Sequence, residues 1–250
     1  MIAATATLLP KVHELNRNSN SRRYLNSRRS FLLSAAALPF MGNKVFASNK
    51  IGWNEFRNQM TTLATANDQI KNETIAIRGM QYLKQLDIFS TEYKSAVKAS
   101  YETGNRYWLW QRMIKEKNIN GGILNIDSEQ FVQLHDHPGA TGLLRILSGE
   151  VEVWQFDNVK EKQIANEHNI VTLKRVSRRV LRSGDTALLT PTHGNVHALR
   201  SISKQCRMLD FFIPPYQRSQ RSWYEPLNLN WFENEKIACR KIPQHAYSKA

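Results

Sequence analysis

A mainly β domain preceded by a short helical region is the fold class that this sequence predicts, and three observations predict it. Apolar residues recur at helical spacing from Trp53 onward, short β-type runs follow between Ile123 and Ile213, and turn signals separate those runs. At 250 residues the chain is long enough for one domain with a sizeable core. Its 41% hydrophobic and 22% charged content is ordinary for a soluble globular protein.

Residues 1–47 read as a cleaved export signal. Arg28-Arg29 stand directly before an apolar stretch, Phe31 to Phe40, which is too short for a membrane span of roughly 20 residues. Val45-Phe46-Ala47 supply small residues at −3 and −1 for cleavage before Ser48. Paired arginines ahead of a weak apolar block resemble a twin-arginine signal, so a periplasmic or otherwise exported protein without stable membrane insertion is expected. The alternative is a mitochondrial transit peptide, since the segment is rich in Ser and Arg and carries one acid, Glu14, against seven basic residues. That imbalance, +6 of the total +14, places much of the basic charge outside the folded part. Of the rest, only Lys174, Arg175, Arg178, Arg179 and Arg182 cluster, and a solvated face is the reading preferred over nucleic-acid binding.

Residues 48–119 form the expected helical region. Phe56, Met60 and Leu63 fall on one stripe, as do Met80, Leu83, Leu86, Ile88 and Phe89, with helical spacing to about Lys117. Gly79 and Gly104 read as punctuation, and Tyr101, Tyr107, Trp108 and Trp110 as packing between these helices and the next region. After Asn120-Gly121-Gly122 come eight β-type runs: 123–126, 131–134, 143–147, 151–156, 171–173, 187–189, 196–202 and 208–213. Ser148-Gly149-Glu150 reads as a hairpin turn. Many short strands between turns predict an antiparallel sandwich or barrel over residues 120–250. Cys206 and Cys239 are the two cysteines; one disulfide or two buried thiols are both open.

The chemistry lies in two segments. In the first, His135 and His137 are two apart, so on a strand both imidazoles face one side, and Pro138-Gly139 ends that strand. In the second, Thr190 to Asn195 form a turn that delivers His197 onto a new strand. This combination resembles the cupin metal site, whose first motif is HxH, a glutamate and a glycine. Gly149 falls on that glycine, and Gly142 stands where the glutamate would be. Gly184, Pro191, Gly194 and His197 match the second motif, with one extra residue between Gly184 and Pro191. Three neutral imidazoles without a carboxylate leave a dication several open positions, which suits ferrous iron, Fe(2+), meeting substrate and O₂ together. Zinc also accepts three histidines and a water.

HDHPGATGLLRILSGEVEV, PTHGNVHAL and LDFFIPPY, in that order, are similar to the 2-aminoethanethiol (cysteamine) dioxygenases and plant cysteine oxidases over roughly residues 120–226. That resemblance implies a cupin, or double-stranded β-helix, and an Fe(II)-dependent thiol dioxygenase that turns a small aminothiol or N-terminal cysteine into its sulfinic acid. It implies His135, His137 and His197 as iron ligands, with Asp210 and Tyr216 as the catalytic candidates and Tyr224 as a further pocket residue. Asp210 would orient an imidazole or the substrate through hydrogen bonds. The expected partners are a small thiol and O₂, with no nucleic acid, on a monomeric chain. Residues Gln217 to Tyr224 contain no cysteine, so the cysteine–tyrosine cross-link known in the family is not carried over. The rival reading is a non-catalytic metal- or ligand-binding cupin of the cell envelope. A zinc hydrolase is weaker, because no general base accompanies the motif. Of the other polar residues, His193 is a competing ligand to His197, Asp136 is expected to face away as a structural residue, and Arg145 is expected to be solvated rather than to bind a substrate carboxylate.

Overall fold

The first apolar stripe folds as helix α1 (Trp53–Thr65), which buries Trp53, Phe56, Met60 and Leu63. These elements come from a computed structural model that describes residues 49–67, 69–104, 106–107, 109–128, 130–159, 169–216 and 220–247. The predicted export signal lies outside the described residues, and among those described no helix is long and apolar enough to cross a membrane. Helix α2 (Asn72–Gln85) buries Ile75, Met80 and Leu83, and α3 (Thr91–Glu102) starts where Ser90 Oγ accepts the Tyr93 N–H at 3.2 Å. Two expectations fail here. Gly79 does not punctuate α2 but sits inside it, where a Cβ would stand 2.4 Å from Leu143 Cδ1; the missing side chain lets the helix lie close on a strand. Phe89 leaves the stripe and is 69% exposed, because the helix has already ended at Gln85.

The N-terminal helical region ends at Glu102, short of the predicted Lys117. Gly104, at φ 65°, turns the chain, and two strands follow, β1 (Arg106–Tyr107) and β2 (Trp110–Lys115). All eight predicted runs are strands: β3 (Asn120–Asp127), β4 (Phe131–His135), β5 (Thr141–Ser148), β6 (Glu150–Val159), β7 (Ile170–Arg182), β8 (Thr186–Leu189), β9 (Val196–Ser201) and β10 (Gln205–Ile213). β11 (Ser222–Pro226), β12 (Lys236–Pro243) and a short α4 (Gln244–Tyr247) follow among the described residues.

The strands form a six-stranded sheet, β1-β2-β3-β10-β5-β8, and a closed ring, β11-β12-β7-β6-β9-β4. From β3 to β6 and from β7 to β10, each successive strand changes sheet, so hydrogen-bonded neighbours are distant in sequence. That alternation makes a double-stranded β-helix, the predicted fold. It also corrects the turn at Ser148-Gly149-Glu150. Gly149, at φ 80°, is a corner between the sheets rather than a hairpin: β5 pairs with β10 and β8, whereas β6 pairs with β7 and β9.

Strand β10 divides the core. Leu209, Phe211 and Ile213 face the helices and pack with Phe56, Met60 and Leu83, the Phe56 and Phe211 rings 5.4 Å apart. Met208, Asp210 and Phe212 point the other way, into the space between the sheets, where Met208 joins Ile126, Leu144, Val153 and Leu199. Trp110 packs on that inner cluster, not on the helices, and Tyr101 is 45% exposed. Cys206 and Cys239 are buried free thiols on different sheets, and burial pushes their pKa values up to about 11 and about 12. The basic cluster lies along β7 with acids beside it: Arg178 pairs with Glu152 and Glu233, Arg182 with Glu150, and Arg175 donates to Phe232 O.

Gly121 and Gly122 lie within β3, where neighbours close over them. A Cβ on Gly121 would meet the Phe211 ring at 2.0 Å, and one on Gly122 the Gln111 carbonyl oxygen at 2.3 Å. Backbone cannot yield as a side-chain tip can. Gly122→Ala is therefore expected to destabilise the fold by about 2–3 kcal/mol in urea unfolding, and an unchanged midpoint would contradict this packing.

Candidate metal centre

His135 ends β4, His137 lies two residues beyond, and His197 is the second residue of β9. The β4–β9 register sets His135 opposite His197. Pro138-Gly139 then turns the chain back, with the Ala140 N–H donating to His137 O at 3.1 Å. Asn195 fastens the two ligand segments together. Its Oδ1 accepts the His137 N–H at 3.0 Å, while its Nδ2 donates to His137 O at 3.2 Å and to Thr190 O at 3.0 Å.

The three imidazoles are buried and converge. His197 Nε2 is 3.1 Å from His135 Nε2 and 3.1 Å from His137 Nε2. His135 Nδ1 lies 2.7 Å from Gln133 O and donates to it, which leaves Nε2 as a bare lone pair. Burial holds His135 and His137 well below the usual histidine range, and lowers His197 to about 3, with Arg221 adding repulsion in each case. The rings are therefore neutral, and a neutral ring has one N–H at most. His197 can offer a proton to only one of its two neighbours, so hydrogen bonds within the trio cannot satisfy all three Nε2 atoms. A cation can. The three buried nitrogens lie close enough to one another to share one cation, so the donors fit a metal ion.

Aromatic contacts lock the rings. Phe212 stacks on His137 with centroids 4.4 Å apart, Tyr216 meets His137 edge-on at 4.6 Å, and Trp223 lies 5.1 Å from His135. The Tyr216 hydroxyl accepts a hydrogen bond from Arg221, and burial raises its pKa to about 12. Asp210 faces the same cavity from β10. Burial raises its carboxyl to about 7, against the pull of Arg221, and among the described residues no hydrogen bond joins it to an imidazole. The cavity measures about 380 Å³, with an apolar wall of Trp110, Leu124, Val132, Leu144 and Leu199 and a polar side that includes Arg112 and Arg221.

Other sequence candidates fall elsewhere. Tyr224 is not a pocket residue: its hydroxyl donates to Asp136 Oδ2 at 2.8 Å. Asp136 also accepts the Ser222 N–H at 2.7 Å, so it ties β11 to the ligand segment from the far face. His193 is exposed and lies 3.2 Å from Asp157, outside the trio. Arg145 is half-buried and not solvated; its Nη1 caps α2 by donating to Leu83 O at 2.6 Å and Leu86 O at 2.8 Å. At Gly142, a side chain would meet Leu189 Cγ at 2.8 Å, so β8 fills the space a carboxylate would need. Arg221, Arg112, Phe212, Trp110 and Asn195 were not singled out from sequence as site residues. A Pro-Thr-His-Gly-Asn turn was the one signal for Asn195, and nothing in a linear reading brings Arg112 to this wall.

The PCO_ADO family model matches residues 68–247. The 2-aminoethanethiol dioxygenase of Mus musculus is 28% identical over 124 residues, covering 43% of this chain and 48% of that protein. A probable 2-aminoethanethiol dioxygenase of Dictyostelium discoideum is 27% identical over 126 residues, covering 47% of this chain and 56% of its own length. The chain thus spans about half the length of the curated relatives it matches. A protein with a double-stranded β-helix domain from Klebsiella pneumoniae aligns with a TM-score of 0.32 at 17% identity, over 42% of this chain and 75% of that one. The family match runs from before α2 through all twelve strands and takes in the three converging imidazoles, and the chain belongs to the PCO_ADO family.

Proposed function

We propose that this protein is an Fe(II)-dependent thiol dioxygenase that converts a small thiol to its sulfinic acid, with export through the Arg28-Arg29 segment. The observation that carries the reading is the convergence of three neutral imidazole Nε2 atoms, with no carboxylate among them, at the end of a partly apolar cavity. The names of the curated relatives support the reaction class. The reaction is balanced by thiol and O₂ alone: the S–H proton is lost to solvent or returned to the product, and both oxygen atoms end on sulfur. Iron, held by His135, His137 and His197, would supply open positions for sulfur and O₂ and the redox chemistry between them.

The chain's own groups do the rest. The Trp110, Leu124, Val132, Leu144 and Leu199 wall excludes water and holds the thiol's carbon skeleton beside the imidazoles. Asp210, with a carboxyl near neutrality, takes up the thiol proton as the thiolate forms. Tyr216 stays protonated, holds His137 edge-on and keeps Arg221 in place.

Oxygen uptake by the anaerobically iron-loaded protein, with a product two oxygen atoms heavier than the thiol, is the expected result. Iron retention without uptake for any thiol would favour a binding cupin instead. His197→Ala is expected to lose iron in an equilibrium dialysis assay together with at least about 100-fold of the activity; normal iron content in this variant would overturn the ligand set. The proton linkage gives a separate test on the metal-free protein. Each trio imidazole has a folded pKa below the unfolded value of about 6.5, so its contribution is intact above that pH. It is lost as the pH falls, because the unfolded chain takes a proton that the fold refuses, down to about 3 for His197. His197→Ala should therefore flatten the acid loss of stability between pH 6 and 4 by up to about 1.4 kcal/mol per pH unit. Parallel wild-type and variant curves from urea unfolding at stepped pH would contradict the buried neutral state.

A further inference from the structure

The β4–β9 ladder, which sets His135 opposite His197, breaks just before it reaches them. Phe131 and Val132 pair with Arg200 and Leu199, and the next pair is His135 with His197. The chain therefore advances three residues on β4 against two on β9, and Gln133 and Leu134 lie in a bulge outside the register. Yet Gln133 O accepts the His135 Nδ1–H at 2.7 Å and so fixes which nitrogen is left for a metal. The orientation of this imidazole thus depends on a carbonyl that the β4–β9 pairing does not place.

Helix α4 meets the chain at this point. A single helical turn has no stability of its own, so contacts have to hold it. The Tyr247 hydroxyl donates to Gln133 Oε1. The Tyr247 ring stacks on Trp223, with centroids 4.2 Å apart and planes 12° from parallel. Gln244 Oε1 accepts the Trp223 Nε1–H at 3.0 Å, and the Gln244 N–H donates to Arg221 O at 3.0 Å. Trp223 is buried, pairs with His135 in the β4–β11 register, and sets its ring 5.1 Å from that imidazole. Helix α4 thereby grips both the residue that supplies the His135 acceptor and the ring that packs on His135.

We propose that α4 is a clasp that positions His135 for metal binding, with Tyr247 as the positioning residue. Tyr247 is not one of the three converging donors and acts through Gln133 and Trp223. Three neutral imidazoles offer a cation no net charge, so affinity leans on donors that are already in place. A ring left free to turn has to be ordered when the ion arrives, and that entropy cost subtracts from binding. The inference rests on the three-imidazole metal centre and not on the fate of any thiol bound there.

The test uses cobalt(II), which reports ligand geometry through its visible absorption bands. It is titrated into the metal-free full chain, and urea unfolding of the same samples gives their stability. Tyr247→Ala is expected to weaken cobalt binding about 10-fold and to shift the bands. Tyr247→Phe keeps the stacked ring and loses only the hydroxyl contact, so a loss of about 3-fold is expected. Gln244→Ala, which strips Trp223 Nε1 of its acceptor, should act in the same direction if Tyr247→Ala folds poorly. Ser90→Ala removes the cap of α3, an element with no part in the clasp, and should lower stability while leaving cobalt affinity and bands unchanged. Unchanged affinity and bands in both Tyr247 variants would overturn the proposal, as would an equal loss of affinity in Ser90→Ala. No cobalt binding by wild type would sink the metal centre and the clasp with it. Weakened binding in the Tyr247 variants, with no thiol turned over by iron-loaded wild type, would uphold the clasp and sink the dioxygenase reading instead.

Discussion

Three uncharged imidazoles forced together out of water set the terms for everything around them. Placed 3.1 Å apart with no carboxylate between, their lone pairs repel unless a cation or a shared proton intervenes, and burial has made the proton unfavourable. The fold bears that arrangement because other contacts hold each ring from outside the trio. The β4–β9 register fixes the pair His135 and His197, Asn195 clips the His137 backbone to the opposite loop, and Gln133 O fixes the His135 tautomer. Phe212, Tyr216 and Trp223 then deny the rings any other orientation. The trio is thus held as a preformed cradle whose donor set fits a metal ion.

Strand β10 links this centre to the rest of the molecule. Its alternate residues serve two environments: Phe211 packs against Phe56 of α1, while Asp210 and Phe212 look into the cavity. The helices act through that strand, since covering the outer face of the six-stranded sheet fixes the plane from which Asp210 and Phe212 project. Gly79 and Gly121 belong to the same design. Each lacks a side chain where Leu143 or Phe211 must close the gap between layers. Arg145 completes it by capping the end of α2 from β5, the neighbour of β10.

Local chemistry made the converging histidines legible in the sequence, and its limits explain the failures. Histidines two apart before Pro-Gly, and a histidine after a Pro/Gly turn, carry their geometry within a few residues, and the eight apolar runs carry their strands. The misread features depend on partners far away in the chain. β2 reads as helical because Trp110 to Lys115 has no clean alternation, and its strand state comes from pairing with β3. The corner at Gly149 has the composition of a hairpin turn, and only the exchange of strands between sheets shows otherwise. Tyr224 follows the motif by only eight residues, yet β11 turns it to Asp136 on the far face.

Arg221 and Arg112 escape a linear reading for the same reason: only the fold brings them to one cavity wall. Glu116 lies on that wall too, but Arg57 of α1 and Thr61 hold its carboxylate through three hydrogen bonds. A helix that carries no site residue thereby helps set the charge of the cavity, and with it what the cavity can hold.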